Sequence, residues 1–414
     1  MQKFIKSPAS YPQHPSNSFV LTRDEGEIIQ LLRQYDQISR TDLARMTGWS
    51  RAKITLDMDA LIKKGLVIEI GEGVSEGGRK PRLLSINNGL GFLVGVDIGA
   101  TSIDLALSDV RGKILQRRSE AADVRDAPDT VLGRCSELIC DMLSAEAAHP
   151  EKILGIGVGV PGPVEFSKGV LVAPPLMPLW ERYPIRDFFH KTFRSAFVVV
   201  DNDVNIMALA ELREGDGRGL DHFIFIKIGT GIGCGIVSNG KIHRGADGSA
   251  GDIGHICVDK NGPVCRCGNL GCLEAVTAGP AIAERAINAA RDGSSTILAR
   301  KMEANGGTLA TEDVGAAMRE GDRSALEIVQ HSGRVIGETL ASLVNFFNPS
   351  YIFFGGGVTN LGNQLLSSIR QAVLNRSLPL ATRHLVIDYS SMGPDAGIIG
   401  AICLAKDHLF IVVN

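Results

Sequence analysis

The period of the apolar positions changes twice along this chain, and each change marks a new architecture. Residues 1–18 are rich in Pro, Ser and Gln, lack any apolar period, and are expected to form a mobile arm. From Arg23 to Tyr35 the positions Ile28, Ile29, Leu31 and Leu32 share one helical face. Ser39 stands where a cap is needed for the short helix RTDLARMT, which Gly48 ends. Ser50 does the same for RAKITLDMDALIKK, with Ile54, Met58, Leu61 and Ile62 turned inward and Gly65 as its stop. LVIEIGEG and PRLLSIN then read as two strands joined by VSEGGRK, a β-hairpin. Two short helices across a tight glycine turn, followed by that hairpin, predict a winged helix-turn-helix over residues 19–88.

From Leu90 onward strands and helices alternate. FLVGVDIGATSIDLALSDVRGKIL reads as strand, glycine turn, strand and a further turn at Arg111 and Gly112. A helix is expected from about Pro128 to Ala147, then the strand ILGIGVGV, the strand AFVVVDNDV, the helix NIMALAELREG, and a hairpin over HFIFIKIGTGIGCGIVSNGKI. Alternation of this kind makes an α/β protein with substantial sheet. Polar groups gather at strand ends, at Gly162, at Asn202 and Asp203, and at Thr230, and α/β folds bind ligands beyond strand ends.

With 44% apolar and 21% charged residues, the composition is that of a soluble globular protein, which excludes the disordered and fibrous classes. The formal charge of −3 selects no partner by itself. No run of eighteen apolar residues and no signal-peptide pattern occur, so the expected location is cytoplasmic, without membrane insertion. Five of the eight cysteines (Cys135, Cys140, Cys234, Cys257 and Cys403) read as reduced core residues. The other three carry chemistry.

Those three lie in GSAGDIGHICVDKNGPVCRCGNLGCLE, residues 248–274, where His255, Cys265, Cys267 and Cys272 offer one imidazole and three thiolates. That is a full tetrahedral set for Zn²⁺, with no position left for water, so the metal would be a structural clamp. Folding the loop around it also places Asp252 and Glu274 beside the imidazole. These carboxylates either accept hydrogen bonds from sugar hydroxyls or orient the metal ligands, and the stretch alone does not separate the two. Asp203 is likewise open between a general base for a sugar hydroxyl and a member of a helix N-cap cluster.

In the front module, Ser50, Arg51, Ala52, Lys53 and Thr55 open the third helix, where a recognition helix meets bases and phosphates, and Arg79 and Lys80 sit at the wing tip with Arg82 nearby. The module's charge does not decide the matter, since eleven basic and ten acidic residues between Thr22 and Asn88 leave a net of +1. Their placement does, because the basic residues cluster at that helix and wing, which points to DNA.

DIGATSI, VDNDVN, KIGTGIGCGI, GSAGDIGH, CRCGNLGCLE and FFGGGVT occur in the order and approximate spacing of the ROK family, which the chain resembles from about Leu90 to its end. That family contains bacterial sugar kinases and sugar-responsive repressors with a two-lobed, actin-like ATPase fold. The front module resembles the winged helix-turn-helix of the repressor branch. The resemblance implies lobe 1 over 89–202, completed by a C-terminal helix in 393–414, and lobe 2 over 203–392. It implies a Zn²⁺ site at His255, Cys265, Cys267 and Cys272. A monosaccharide or sugar-phosphate site is implied at Gly162, Asn202, Asp203, Asp252, His255 and Glu274, with Asp203 the catalytic base if the chain is a kinase. Nucleotide phosphates, if ATP with Mg²⁺ binds, fall to Gly99, Thr101, Gly229, Thr230 and Gly231, with Gly355 to Gly357 near the nucleoside.

The chain departs from the family's pattern at three places. DIGATS replaces the usual DIGGTK, which removes a glycine and a lysine; GDIGH replaces GEIGH; and Pro175 stands where kinases commonly carry an asparagine. Two functional classes follow from the sequence. The first is a DNA-binding regulator, a repressor of sugar-metabolism genes that works as a homodimer or dimer of dimers on operator DNA. The second is an ATP-dependent sugar kinase with an accessory DNA-binding module. The winged module and the missing lysine favour the first.

Overall fold

The computed structural model describes residues 18–73 and 80–413. Arg79 and all of the expected arm except Ser18 lie outside the described residues. Ser18 itself donates its hydroxyl to the His408 carbonyl at 2.9 Å.

The front module forms as its sequence predicts. Helix α1 (Arg23–Gln34) starts from a capping box in which Thr22 and Glu25 satisfy each other's backbone N–H groups. Helix α2 (Arg40–Thr47) is capped by Ser39 and closed by Gly48 at φ 72°, a left-handed position that suits glycine. Helix α3 (Arg51–Lys63) is capped by Ser50 and buries Ile54, Met58 and Leu61. The wing strands Val67–Glu72 and Arg82–Ile86 pair antiparallel, and Ile38–Ser39 adds a third strand that the sequence reading lacked.

Two five-stranded sheets follow. The first has the order 197–202, 153–160, 92–98, 102–109, 114–121, and the second the order 386–389, 351–355, 223–228, 232–238, 241–242. In chain order within each sheet both read fifth, fourth, first, second, third, so one half repeats the other. Helices 203–214 and 396–409 pack against each other between the sheets. The approach is close enough to require glycine: a Cβ at Gly157 would stand 2.0 Å from the Ala401 carbonyl oxygen, and one at Gly400 would stand 1.9 Å from that of Ile206.

The structure changes three readings. The strand expected through Val204 ends at Asn202, because the Asn202 side chain accepts from the Val204 and Asn205 N–H groups and starts the helix there. Cys257 is exposed, lying in the irregular stretch between Ile253–His255 and Leu273–Thr277, whereas Cys135, Cys234 and Cys403 are buried and Cys140 is half-buried. The C-terminal segment is not helical to its end. Its helix stops at Leu409, and Phe410–Val412 pairs in parallel with Phe19–Leu21 at the start of the front module.

Candidate functional site

A cleft of about 770 Å³ opens between the two sheets, within the usual range for a small-molecule site. Gly162, Asn202, Asp203, Asp252, His255 and Glu274 line it, together with Gly99, Thr101, Gly229, Thr230 and Gly231. Both residue sets expected from the sequence therefore share one space. Pro175 also lines it, and of Gly355 to Gly357 only Gly357 does.

The polar groups are fixed by neighbours from several elements. Asn202 is held at both side-chain atoms, for its oxygen caps the helix and its Nδ2 donates to the Gly162 carbonyl at 2.9 Å. Asp203 is therefore not the cap. Its carboxylate is 5% exposed and receives the Lys227 ammonium at 2.5 Å, from the strand Phe223–Ile228 of the second sheet. Burial works against the charge of Lys227, but Asp203 and then Asp97 hold the ammonium above its ordinary range. Glu274 Oε2 accepts the Ile232 N–H at 3.1 Å, and burial pushes its carboxyl upward. Asp252 keeps its side chain half exposed, 3.8 Å from His255 Nε2.

On the far side of that imidazole lies the thiol cluster. His255 Nδ1 is 3.6 Å from Cys265 Sγ, Cys267 Sγ is 3.7 Å from Cys272 Sγ, and all four donor atoms fall within 4.8 Å of one another. Thiolates at tetrahedral corners about 2.3 Å from an ion lie about 3.7–3.8 Å apart, so the spacing fits a metal ion. Burial pushes the Cys272 thiol up to about 12, and three thiolates at such range need a cation among them. The imidazole thus has two faces, one toward the cluster and one toward the cleft and Asp252.

A third feature is the outer face of α3. Ser50, Arg51, Ala52, Thr55 and Leu56 are exposed, Leu56 at 71%. Lys53, expected on this face, is instead tied down, donating to Asp24 at 2.5 Å and Asp57 at 3.1 Å over the ring of Trp49. Arg40 occupies Asp59 in the same way. These pairs neutralise the acidic groups along the helix, while Arg51 enters no ion pair among the described residues. Lys80 is exposed near Glu72 at the wing.

The sequence reading missed Lys227, Leu56, and Arg266, which lines the cleft and stands between Cys265 and Cys267 in the chain. The signal for Lys227 was present as a lone lysine inside the apolar strand FIFIKI, since a charge buried among such neighbours requires a partner.

Known proteins match this architecture. A xylose repressor of Caldicellulosiruptor bescii is 31% identical over 369 residues, 89% of this chain and 91% of its own length. The crystal structure of a ROK family transcriptional regulator, a homolog of the Escherichia coli MLC protein, superposes with a TM-score of 0.79 at 29% identity, covering 93% of this chain and 96% of that one. A ROK family glucokinase from Streptomyces griseus, solved with glucose and AMPPNP, gives a TM-score of 0.66 at 30% identity and covers 77% of this chain and 100% of its own. The ROK family model itself matches residues 93–408, from the first strand of the first sheet into the C-terminal helix, and the chain belongs to the ROK family.

Proposed function

We propose that this chain is a DNA-binding repressor of sugar-metabolism genes, with a monosaccharide effector in its cleft and a structural Zn²⁺ beside it. The observation that carries this reading is that the winged module is joined to the cleft-bearing fold at both of its own ends, through Phe19–Leu21 against the C-terminal strand and through residues 88–92 into the first sheet. The similarity to a xylose repressor over 369 residues, more than the ROK-matched segment 93–408 holds, supports it. In this reading residues 19–88 bind duplex DNA, and residues 89–202 with 393–414 form one lobe and 203–392 the other. Arg51, Ser50, Ala52, Thr55 and the wing residues Arg79 and Lys80 face DNA, while Lys53 fixes the helix that presents them.

The cleft's lining carries four carboxylates, Asp203, Asp252, Glu274 and Glu312, against two cations, Lys227 and Arg266. That balance favours an uncharged sugar over a sugar phosphate, since carboxylates accept hydroxyl hydrogens and repel phosphate. Zn²⁺ would hold His255, so that its cleft-facing edge and Glu274 meet the sugar in a fixed geometry. Sugar that binds the closed cleft better than the open one shifts the angle between the sheets. The front module, anchored through the C-terminal strand, moves with it. Two half-sites on operator DNA call for a homodimer or a dimer of dimers.

Two measurements test this. Arg51→Ala is expected to weaken binding to a duplex selected by the chain from a random-sequence pool about tenfold, the cost of one lost phosphate or base contact. The melting-temperature rise caused by sugar should stay intact. If operator and sugar binding fall together, the module is misassigned. Asp203→Asn keeps a carbonyl acceptor but loses the charge, so sugar affinity is expected to fall roughly tenfold by calorimetry, the lower end for a charged hydrogen bond. Unchanged affinity would place the sugar elsewhere. A sugar kinase is the second reading, favoured by the likeness to the glucokinase structure, and Asp203 would then be its base.

A further inference from the structure

Two carboxylates and one ammonium from three different elements interact here; Asp203 and Lys227 line the cleft and Asp97 does not. Asp97 lies in the strand Phe92–Ile98, Asp203 opens the helix Asp203–Glu214, and Lys227 comes from the strand Phe223–Ile228. The Lys227 ammonium donates to Asp203 at 2.5 Å and also acts on Asp97 through its charge. Asp97 Oδ1 is buried without a hydrogen-bond partner among the described residues, and a Cβ at Gly397 would stand 1.8 Å from Oδ2. Little room is left around that carboxylate. Burial raises Asp97 to about 7, with Lys227 opposing the rise.

ATP with Mg²⁺ is the cofactor pair that ROK kinases imply, and these residues do not fit it. Phosphoryl transfer needs a carboxylate free to take the hydroxyl proton, and acidic groups free to hold a divalent cation against the phosphates. Asp203, the carboxylate placed to take that proton, is already held by a fixed ammonium at 2.5 Å, and Asp97, crowded by Gly397, does not line the cleft. The turn Gly99-Ala100-Thr101-Ser102 adds no cation of its own for the phosphates. A divalent ion entering here would meet the charge of Lys227 at short range.

We propose that Lys227 makes this cleft a receptor instead of a phosphotransferase. Its ammonium neutralises Asp203 in the place of a metal ion and holds it as a fixed acceptor for a sugar hydroxyl. An ammonium has three donors, and Lys227 lines the cleft, so the pair offers a hydroxyl both a donor and an acceptor. The proposal rests on the sensor reading and names the residue that sets it apart from a kinase.

The full chain is compared with Lys227→Met, Lys227→Gln and Lys227→Arg. Bound Mn²⁺ is read by electron paramagnetic resonance in the presence of ATP, and melting is recorded with and without millimolar Mn²⁺. The parent and Lys227→Arg are expected to show no saturable Mn²⁺–ATP binding. The two neutral variants are expected to bind at least tenfold more tightly. If they fold poorly, Mn²⁺ is expected to restore their melting temperature, because the ion then supplies the missing charge. Tight Mn²⁺–ATP binding by the parent overturns the proposal. So do neutral variants that neither gain Mn²⁺ nor are rescued by it. Binding to the selected duplex is measured on the same samples. Its absence in the parent counts against the regulator reading, whereas the Mn²⁺ result judges Lys227 alone.

Discussion

Cys267→Ser is expected to take the metal content of the purified chain from about one zinc per protomer to below a tenth of that, and to lower the melting temperature by roughly 5–15 °C. The loop from Gly248 to Glu274 holds little regular structure, a single turn at Ile253–His255 and isolated bridges such as Cys257 with Cys272. Its shape depends on the cluster. A metal ion held by four side chains acts as a crosslink within the loop, and removing such a link costs about 2–4 kcal/mol. At about 2–4 °C per kcal/mol for a unit of this size, the stated fall follows.

The same change should reach the cleft. His255 shares its ring between the thiols and Asp252, and Glu274 lies two residues after Cys272, so a slackened cluster releases both. Sugar affinity is therefore expected to drop along with metal content. A metal assay and a thermal melt on one sample check this. An unchanged zinc-to-protein ratio would remove Cys267 from the ligand set, and an unchanged melt would remove the crosslink role.

What could be read before folding follows from the range over which each feature is encoded. The four candidate metal donors span eighteen residues, and the caps Ser39 and Ser50 act three residues ahead, so both are visible in a short window. The polar strand ends Gly162, Asn202 and Thr230 announced the cleft for the same reason. Lys227 did not, because its meeting with Asp203 depends on how two separate sheets face each other. Cys257 was misread because apolar Ile256 and Val258 surround it in a segment that the sequence could not show to be a surface loop. The repeated strand order was illegible too, as one of its strands, Lys241–Ile242, is two residues long. Lys53 shows the same limit of range. Its position on the third helix suggested DNA, and its pairing with Asp24, 29 residues away, could not be read in a short window.

Ending the chain at Leu409 is expected to leave sugar affinity within twofold of the parent while reducing the effect of sugar on operator affinity from one or two orders of magnitude to less than threefold. The helix Ala396–Leu409 begins against buried Asp97 and lies wedged between the first sheet, at Gly157, and the helix Asp203–Glu214, at Gly400. Its continuation Phe410–Val412 pairs residue by residue with Phe19–Leu21, which leads directly into α1. The joint is reinforced from the sides. Arg33 stacks on the Phe410 ring at 5.0 Å and donates to the Lys406 carbonyl at 2.6 Å, and Gly26 lies so close to Val412 that a Cβ would fall 2.4 Å from its methyl. A displacement of this helix on sugar binding is thus handed to the front module through backbone pairing, where a free linker would absorb it. A coupling of about 1–3 kcal/mol, the usual size between two sites, gives the stated change in operator affinity. The salt bridge from Arg111 to Asp36 remains in the shortened chain and keeps the module near its lobe, so sugar-free operator binding should survive. Operator titrations with and without sugar, on parent and shortened chain, decide the point. A response to sugar that persists at full strength after the strand is gone would mean that the signal travels another way, through Arg111 and the wing, and not through the C-terminal helix.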